Sequence, residues 1–178
     1  NASEVTQLTG TVAALKTAFA AGAAGTITGL NGAEAVILSD TEDASASDIH
    51  SLKNFLDDAA DDAGVTASAI SLTNVTSLIG SSMDLLAVFA AKAAGTISSL
   101  ADDVDVTIDE TGTGDAAVSV ADANLIDSYT TGAITGTILE TDSTTLSTLN
   151  SDTDNANAYT ITVTGTADAG DLVTLETK

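Results

Sequence analysis

Apolar positions in this 178-residue chain follow two spacings. Over residues 12–21, 46–61, 81–93, 119–130 and 142–149 they lie three or four apart, as in Leu15/Phe19, Leu52/Phe55, Leu85/Phe89 and Ile126/Tyr129. That spacing puts them on one helix face and predicts five helices. A glycine and a short Thr-rich run follow each of these aromatics: Gly25-Thr-Ile-Thr, Gly64-Val-Thr-Ala-Ser, Gly95-Thr-Ile-Ser-Ser and Gly132-Ala-Ile-Thr-Gly-Thr. Glycine is the expected left-handed helix stop, and the β-branched residues after it favour a strand. A second strand family is Ala35-Val-Ile-Leu-Ser-Asp, Val104-Asp-Val-Thr-Ile-Asp and Tyr159-Thr-Ile-Thr-Val-Thr. Each leads into a helix starting near Ser47-Asp48, Asp122 or Asp168, where Ser or Asp caps free backbone N–H groups and complements the helix dipole.

The pattern repeats. A shift of 70 residues lays Val5, Leu8, Gly10, Leu15, Phe19, Gly25, Thr26, Ile27 and Leu30 on Val75, Leu78, Gly80, Leu85, Phe89, Gly95, Thr96, Ile97 and Leu100. Further on, Asp48, Leu52 and Phe55 match Asp122, Ile126 and Tyr129 at an offset of 74, so about four residues are inserted around Thr111 to Asp115, as a surface loop accepts. The expected division is the end of one unit over 1–33, a full unit over 34–103, a diverged unit over 104–155 and the start of another over 156–178. With no initiator Met and both ends inside a unit, the chain reads as part of a larger repetitive protein.

Alternating helices and strands predict an α/β fold with mainly parallel pairing: a right-handed α/β solenoid or stack of repetitive helix-strand units of about 70 residues. The alternative is a discrete pseudo-symmetric α/β domain.

Composition changes this picture in three ways. Hydrophobic content of 44% and mean hydropathy of +0.28 suffice for a core, but with five aromatics and no Trp it is built from Ala, Val, Ile and Leu, which suits thin layers. Net charge is -22, against which stand only Lys16, Lys53, Lys92 and Lys178; this disfavours nucleic acid and anionic membranes as partners. Two readings of the acidity stand: a solvated acidic surface, as in proteins exposed to salty media, or specific divalent-cation sites. The absence of Cys excludes disulfides and thiolate chemistry, and the most apolar stretch, 85–95, is interrupted by Lys92 and too short to span a membrane.

The stretches Ala158-Tyr-Thr-Ile-Thr-Val-Thr-Gly-Thr-Ala-Asp-Ala-Gly-Asp-Leu and Thr130-Thr-Gly-Ala-Ile-Thr-Gly-Thr-Ile-Leu-Glu-Thr-Asp-Ser resemble the Ala-, Thr- and Asp-rich repeats of very large cell-surface proteins of marine cyanobacteria, motility- or adhesin-like. Similar tracts occur in long extracellular adhesins and phage appendages. The resemblance runs from about Val5 to Leu175 and implies an extracellular structural or adhesive role, without catalytic residues.

Candidate sites are acidic. Asp57/Asp61 and Asp58/Asp62 form like-charged pairs on one helix face. Asn150, Asp152 and Asp154 alternate like the first ligands of a calcium loop, but position twelve is Ile161, which excludes an EF-hand and leaves an irregular Ca²⁺ loop. Asp102, Asp103 and Asp105 form a comparable cluster, whereas Thr111-Gly-Thr-Gly-Asp115 departs from the calcium β-roll pattern and reads as a loop. His50, the sole His, has no Cys or second His for a zinc site and no nucleophile motif, and reads as a surface residue. Thr160, Thr162, Thr164 and Thr166 alternate along one strand face, as do Thr26/Thr28, Thr96/Ser98 and Thr135/Thr137, a hydroxyl ladder of the kind that meets ice or sugar. No nucleophile, base and cleft constellation is visible. The expected function is therefore non-enzymatic: a structural repeat segment of a giant extracellular filament, surface-layer or adhesin-type protein, whose partners are copies of itself or neighbouring repeats. The alternative is a calcium-, glycan- or ice-binding module or a phage appendage segment.

Overall fold

The computed structural model describes residues 1–111, 116–150 and 157–176. The chain begins with β1 (Gln7–Gly10), α1 (Val12–Ala23), β2 (Ala35–Leu38), β3 (Ala44–Ser45), α2 (Ala46–Ala63) and β4 (Ile70–Ser71). It continues through β5 (Ser77–Gly80), α3 (Ser82–Ala93), β6 (Ile97–Ser98), β7 (Asp105–Ile108), α4 (Val120–Asp127), β8 (Ile134–Thr137) and α5 (Ser143–Leu146), and β9 (Ala158–Thr160) and α6 (Ala169–Leu175) follow. The chain is thus α/β, as expected, with two parallel sheets and six helices among the described residues.

Each helix starts on a residue that can hold a free N–H. Thr11, Ser45, Ser81, Ser119 and Asp142 accept from the third helical N–H and Asp168 from the second. An acid three residues after the serine, Asp48, Asp84 or Asp122, adds a favourable charge at the positive end of the dipole. Helix α2 stops at Gly64, whose φ of 67° is the left-handed cap expected; Gly25 and Gly95 are left-handed one residue beyond the caps Ala24 and Ala94. Gly132 is a correction. It is not left-handed, and what requires it is the close approach of the Val104 and Asp103 carbonyls, which a Cβ would strike.

The sheets are ordered β1-β2-β4-β6 and β3-β5-β7-β8-β9, with every neighbouring pair parallel. Partners are one helix apart in sequence: Gln7 opposite Ala35, Ser77 opposite Asp105, Val106 opposite Ile134 and Ile70 opposite Ile97. Helices pack in chain order, α1 on α2, α2 on α3 and α3 on α4. One continuous core lies between strands and helices. Val36, Leu38, Ile70, Leu78, Val106 and Ile134 enter it from the sheets, and Leu15, Phe19, Ile49, Leu52, Leu56, Leu85, Phe89 and Ile126 from the helices.

Several expectations are corrected. Phe55 does not fill the place of Phe19 and Phe89: it is 39% exposed, and Leu56 is buried instead. Tyr129 is exposed to the same extent and stacks on Phe89 at a centroid distance of 5.4 Å. The Thr-rich runs after Gly95 and Gly132 become β6 and β8, but those after Gly25 and Gly64 lie outside any strand. Conversely, β1 and β5 form where no strand was expected. The threonine ladder shortens to Thr160, because 161–164 carries no strand, although Thr135 Oγ1 donates to Thr107 Oγ1 at 3.2 Å on the neighbouring strand.

Gly132→Ala should lower unfolding stability by about 1–3 kcal/mol, the usual range for forcing extra volume into a packed site. Urea denaturation with an unchanged m-value would register it.

Candidate functional site

A set of carboxylates binds backbone N–H groups at helix starts and turns. The Asp40 carboxylate, just past β2, accepts the Val12 N–H at the start of α1 at 2.8 Å. Glu110, past β7, accepts the Ser82 N–H of α3 at 2.8 Å, and Glu140, past β8, the Val120 N–H of α4 at 2.9 Å. In each case the acid belongs to the strand that pairs with, or follows, the one leading into the helix, so it ties the helix start to the next stretch of chain. Glu34 is buried and receives the Asn31 and Gly32 N–H groups, each at 3.0 Å. Buried carboxylates need such partners, since desolvating a charge without them is costly. None of these four was singled out from sequence; for Asp40 and Glu110 an acid two residues past a strand was the available signal.

A polar concavity of about 380 Å³ is a shallow groove on the sheet face containing β5, β7 and β8, lined by Asp43, Ser77, Asp105, Thr107 and Thr135. Its groups are turned on one another: the Asp43 N–H donates to Ser77 Oγ at 2.6 Å, and Asp105 Oδ1 accepts the Ala133 N–H at 2.8 Å. A second cleft, about 470 Å³, lies between α1 and α2 and is walled by Phe19, Leu30 and Phe55, with Asp58 and Asp62 also lining it.

The candidate ligands are dispersed. Asp102 pairs with Lys92 at 2.7 Å, Asp103 is exposed and Asp105 holds backbone; Asp152 and Asp154 lie outside the described residues, as does most of the 111–115 loop. Asn150, the first residue of that candidate calcium loop, instead donates to Asp127 at 2.8 Å. Asp57 bonds to Lys53 one turn earlier. Among the described residues no three of His, Asp and Glu gather in a group that could hold a metal ion.

His50 is not a free surface side chain. Its Nδ1 lies 3.3 Å from Asp84 Oδ1, while Ser81 Oγ donates to the other Asp84 oxygen at 2.9 Å. The carboxylate therefore stands between hydroxyl and imidazole. A hydrolytic triad needs the imidazole in the middle, in contact with the hydroxyl it deprotonates, so this cluster joins α2 to α3 and does not activate a serine. Lys16 and Asp48 join α1 to α2 at the matching helical positions, 2.8 Å apart. No helix among the described residues is long and apolar enough to cross a membrane.

Among the described residues three carboxyls sit below their usual range: Asp102 through the hydrogen bond and charge of Lys92, Asp109 through the Thr111 hydroxyl and N–H, and Asp142 through the Thr145 N–H that it caps. A folded-state value below the unfolded one means that the contribution is complete above pH about 4 and is lost as the pH falls through the folded value. Loss of net negative charge acts in the opposite direction. The comparison with Asp142→Asn, which keeps a capping oxygen without titrating, isolates the cap: wild type should be the more stable above pH 4, and melting curves should converge below it.

No family model, curated protein or solved structure matches the chain.

Proposed function

We propose that this chain is a non-enzymatic structural segment of a large extracellular repetitive protein, filament, surface layer or adhesin in type, built as a right-handed α/β solenoid. One observation carries the reading: in both sheets each strand pairs, in parallel, with a strand 23 to 34 residues further along. Helices follow the same order. Such an arrangement grows by adding coils, and its stability is close to a sum of coil and neighbour terms. The site chemistry agrees with this use, because Asp40, Glu110, Glu140, Asp48 and Asp84 connect one coil to the next. The acidity suits exposure to salty media, and the resemblance to Ala-, Thr- and Asp-rich surface repeats points the same way.

Two measurements test the reading. A chain ending at Asn150 should keep its helical circular dichroism and a cooperative urea transition with a smaller m-value, since m follows the surface exposed on unfolding; outright unfolding would refute the stacked architecture. Antibodies to the chain should label intact, unpermeabilised source cells, and labelling only after permeabilisation would rule out the extracellular role.

A further inference from the structure

The shift of 70 residues that lays the sequence on itself also pairs the cleft between α1 and α2 with a second location, between α3 and α4. It places Phe19 on Phe89, Gly22 on Lys92, Leu30 on Leu100 and Asn31 on Ala101, and the offset of 74 places Phe55 on Tyr129. At the second location the chain supplies its own filling. Phe89 and Tyr129 stack, and Leu100 is buried. The Lys92 ammonium, on its four-carbon stem, donates to the Asp102 carboxylate at 2.7 Å and to the Ala101 carbonyl at 3.2 Å, so it ties the end of α3 to the connection that follows.

The first location has the same frame without that filling. Phe19 and Phe55 do not stack, Leu30 is only half-buried, and Gly22 stands in the place of the lysine. What remains is the cleft of about 470 Å³. It lies on the side of α1 that faces α2, so both of its walls belong to the described chain. Its rim is acidic. Helix α2 has 18 residues against 8 in α4, and its additional turns bring Asp58 and Asp62, one turn apart on one face, to the cleft. Both are exposed, and among the described residues no cation pairs with either.

We infer that this cleft binds an alkylammonium group, with the stem against Phe19, Leu30 and Phe55 and the ammonium at Asp58 and Asp62, taking the place that the second location gives to the side chain of Lys92. The chemistry of the walls selects this class. Aromatic rings attract an ammonium group as well as its stem, and the two carboxylates supply the opposite charge. A bare metal ion stays hydrated and leaves the phenylalanines and Leu30 uncovered. A neutral alkyl chain gains nothing from the carboxylates, and an anion is repelled by them. The ammonium comes from a free amine or from a lysine side chain, which share this chemistry. The site adds a binding role to the structural one and does not depend on where the protein is located.

Titration of the full chain with n-butylammonium chloride, followed by amide chemical shifts in about 0.15 M NaCl, where the Debye length is about 8 Å, tests this. The Gly22, Asn31 and Phe55 signals should shift saturably, with Kd about 1 mM, and 1-butanol or added NaCl should act about tenfold more weakly. Gly22→Lys, which installs the residue of the second location, should occupy the cleft and weaken butylammonium binding about tenfold. A Cβ at position 22 comes within 3.2 Å of Leu30 Cβ. The double variant Asp58→Asn, Asp62→Asn, at exposed side chains, therefore keeps the test valid if Gly22→Lys loses its melting transition, and it should weaken binding to the same extent. Nα-acetyl-lysine N-methylamide distinguishes the sources: binding tighter than that of butylammonium assigns the site to a lysine of a polypeptide, and equal or weaker binding to a free amine. No saturable shift with butylammonium, equal binding of 1-butanol, or a folded variant that binds as wild type does would overturn the inference.

Discussion

Parallel pairing between strands on either side of a helix is the constraint on which this fold depends. A parallel partner cannot be reached by a tight turn, so the chain must cross over through a helix before it returns alongside. Short strands of two to four residues make few hydrogen bonds each, and the helices supply the apolar surface that holds them. The free N–H groups at the starts of α1, α3 and α4 face the stretch of chain just beyond a strand, and Asp40, Glu110 and Glu140 accept from them there. Capping and strand pairing are thus coupled, with the acid beyond one strand completing the helix that follows the neighbouring strand.

This explains how so acidic a chain folds with four lysines. Its carboxylates divide among those that bind backbone N–H groups, those that bind side chains and those left in solvent, and the first group is a gain to the fold rather than a load on it. Lys16, Lys53 and Lys92 are all committed to ion pairs with Asp48, Asp57 and Asp102. Exposed pairs of this kind contribute little to stability, but they leave no basic surface among the described residues to meet an anionic partner.

Helix positions were legible in the sequence because a three-four apolar spacing with a Ser or Asp cap is a local signal, as in α2 and α3, whose observed bounds differ from those expected by two residues at most. The 70-residue repeat was equally plain, as was the parallel α/β class that follows from alternating elements. Strands were less legible, since a run of two to four residues becomes a strand only when another lies beside it: Thr96-Ile97-Ser98 pairs with β4, while Thr26-Ile27-Thr28 has the same character and no neighbour. Phe55 likewise satisfied the helix spacing, but the helix rotation that buries Leu52 and Leu56 turned it outward. The candidate acids could be counted but not assigned, because Asp102 beside Lys92 and Asp105 on the Ala133 N–H acquire those partners across sheet and loop contacts. Local periodicity is written in neighbouring residues, whereas pairing, burial and the use of a carboxylate are decided by residues some 30 positions away that only the folded chain brings together.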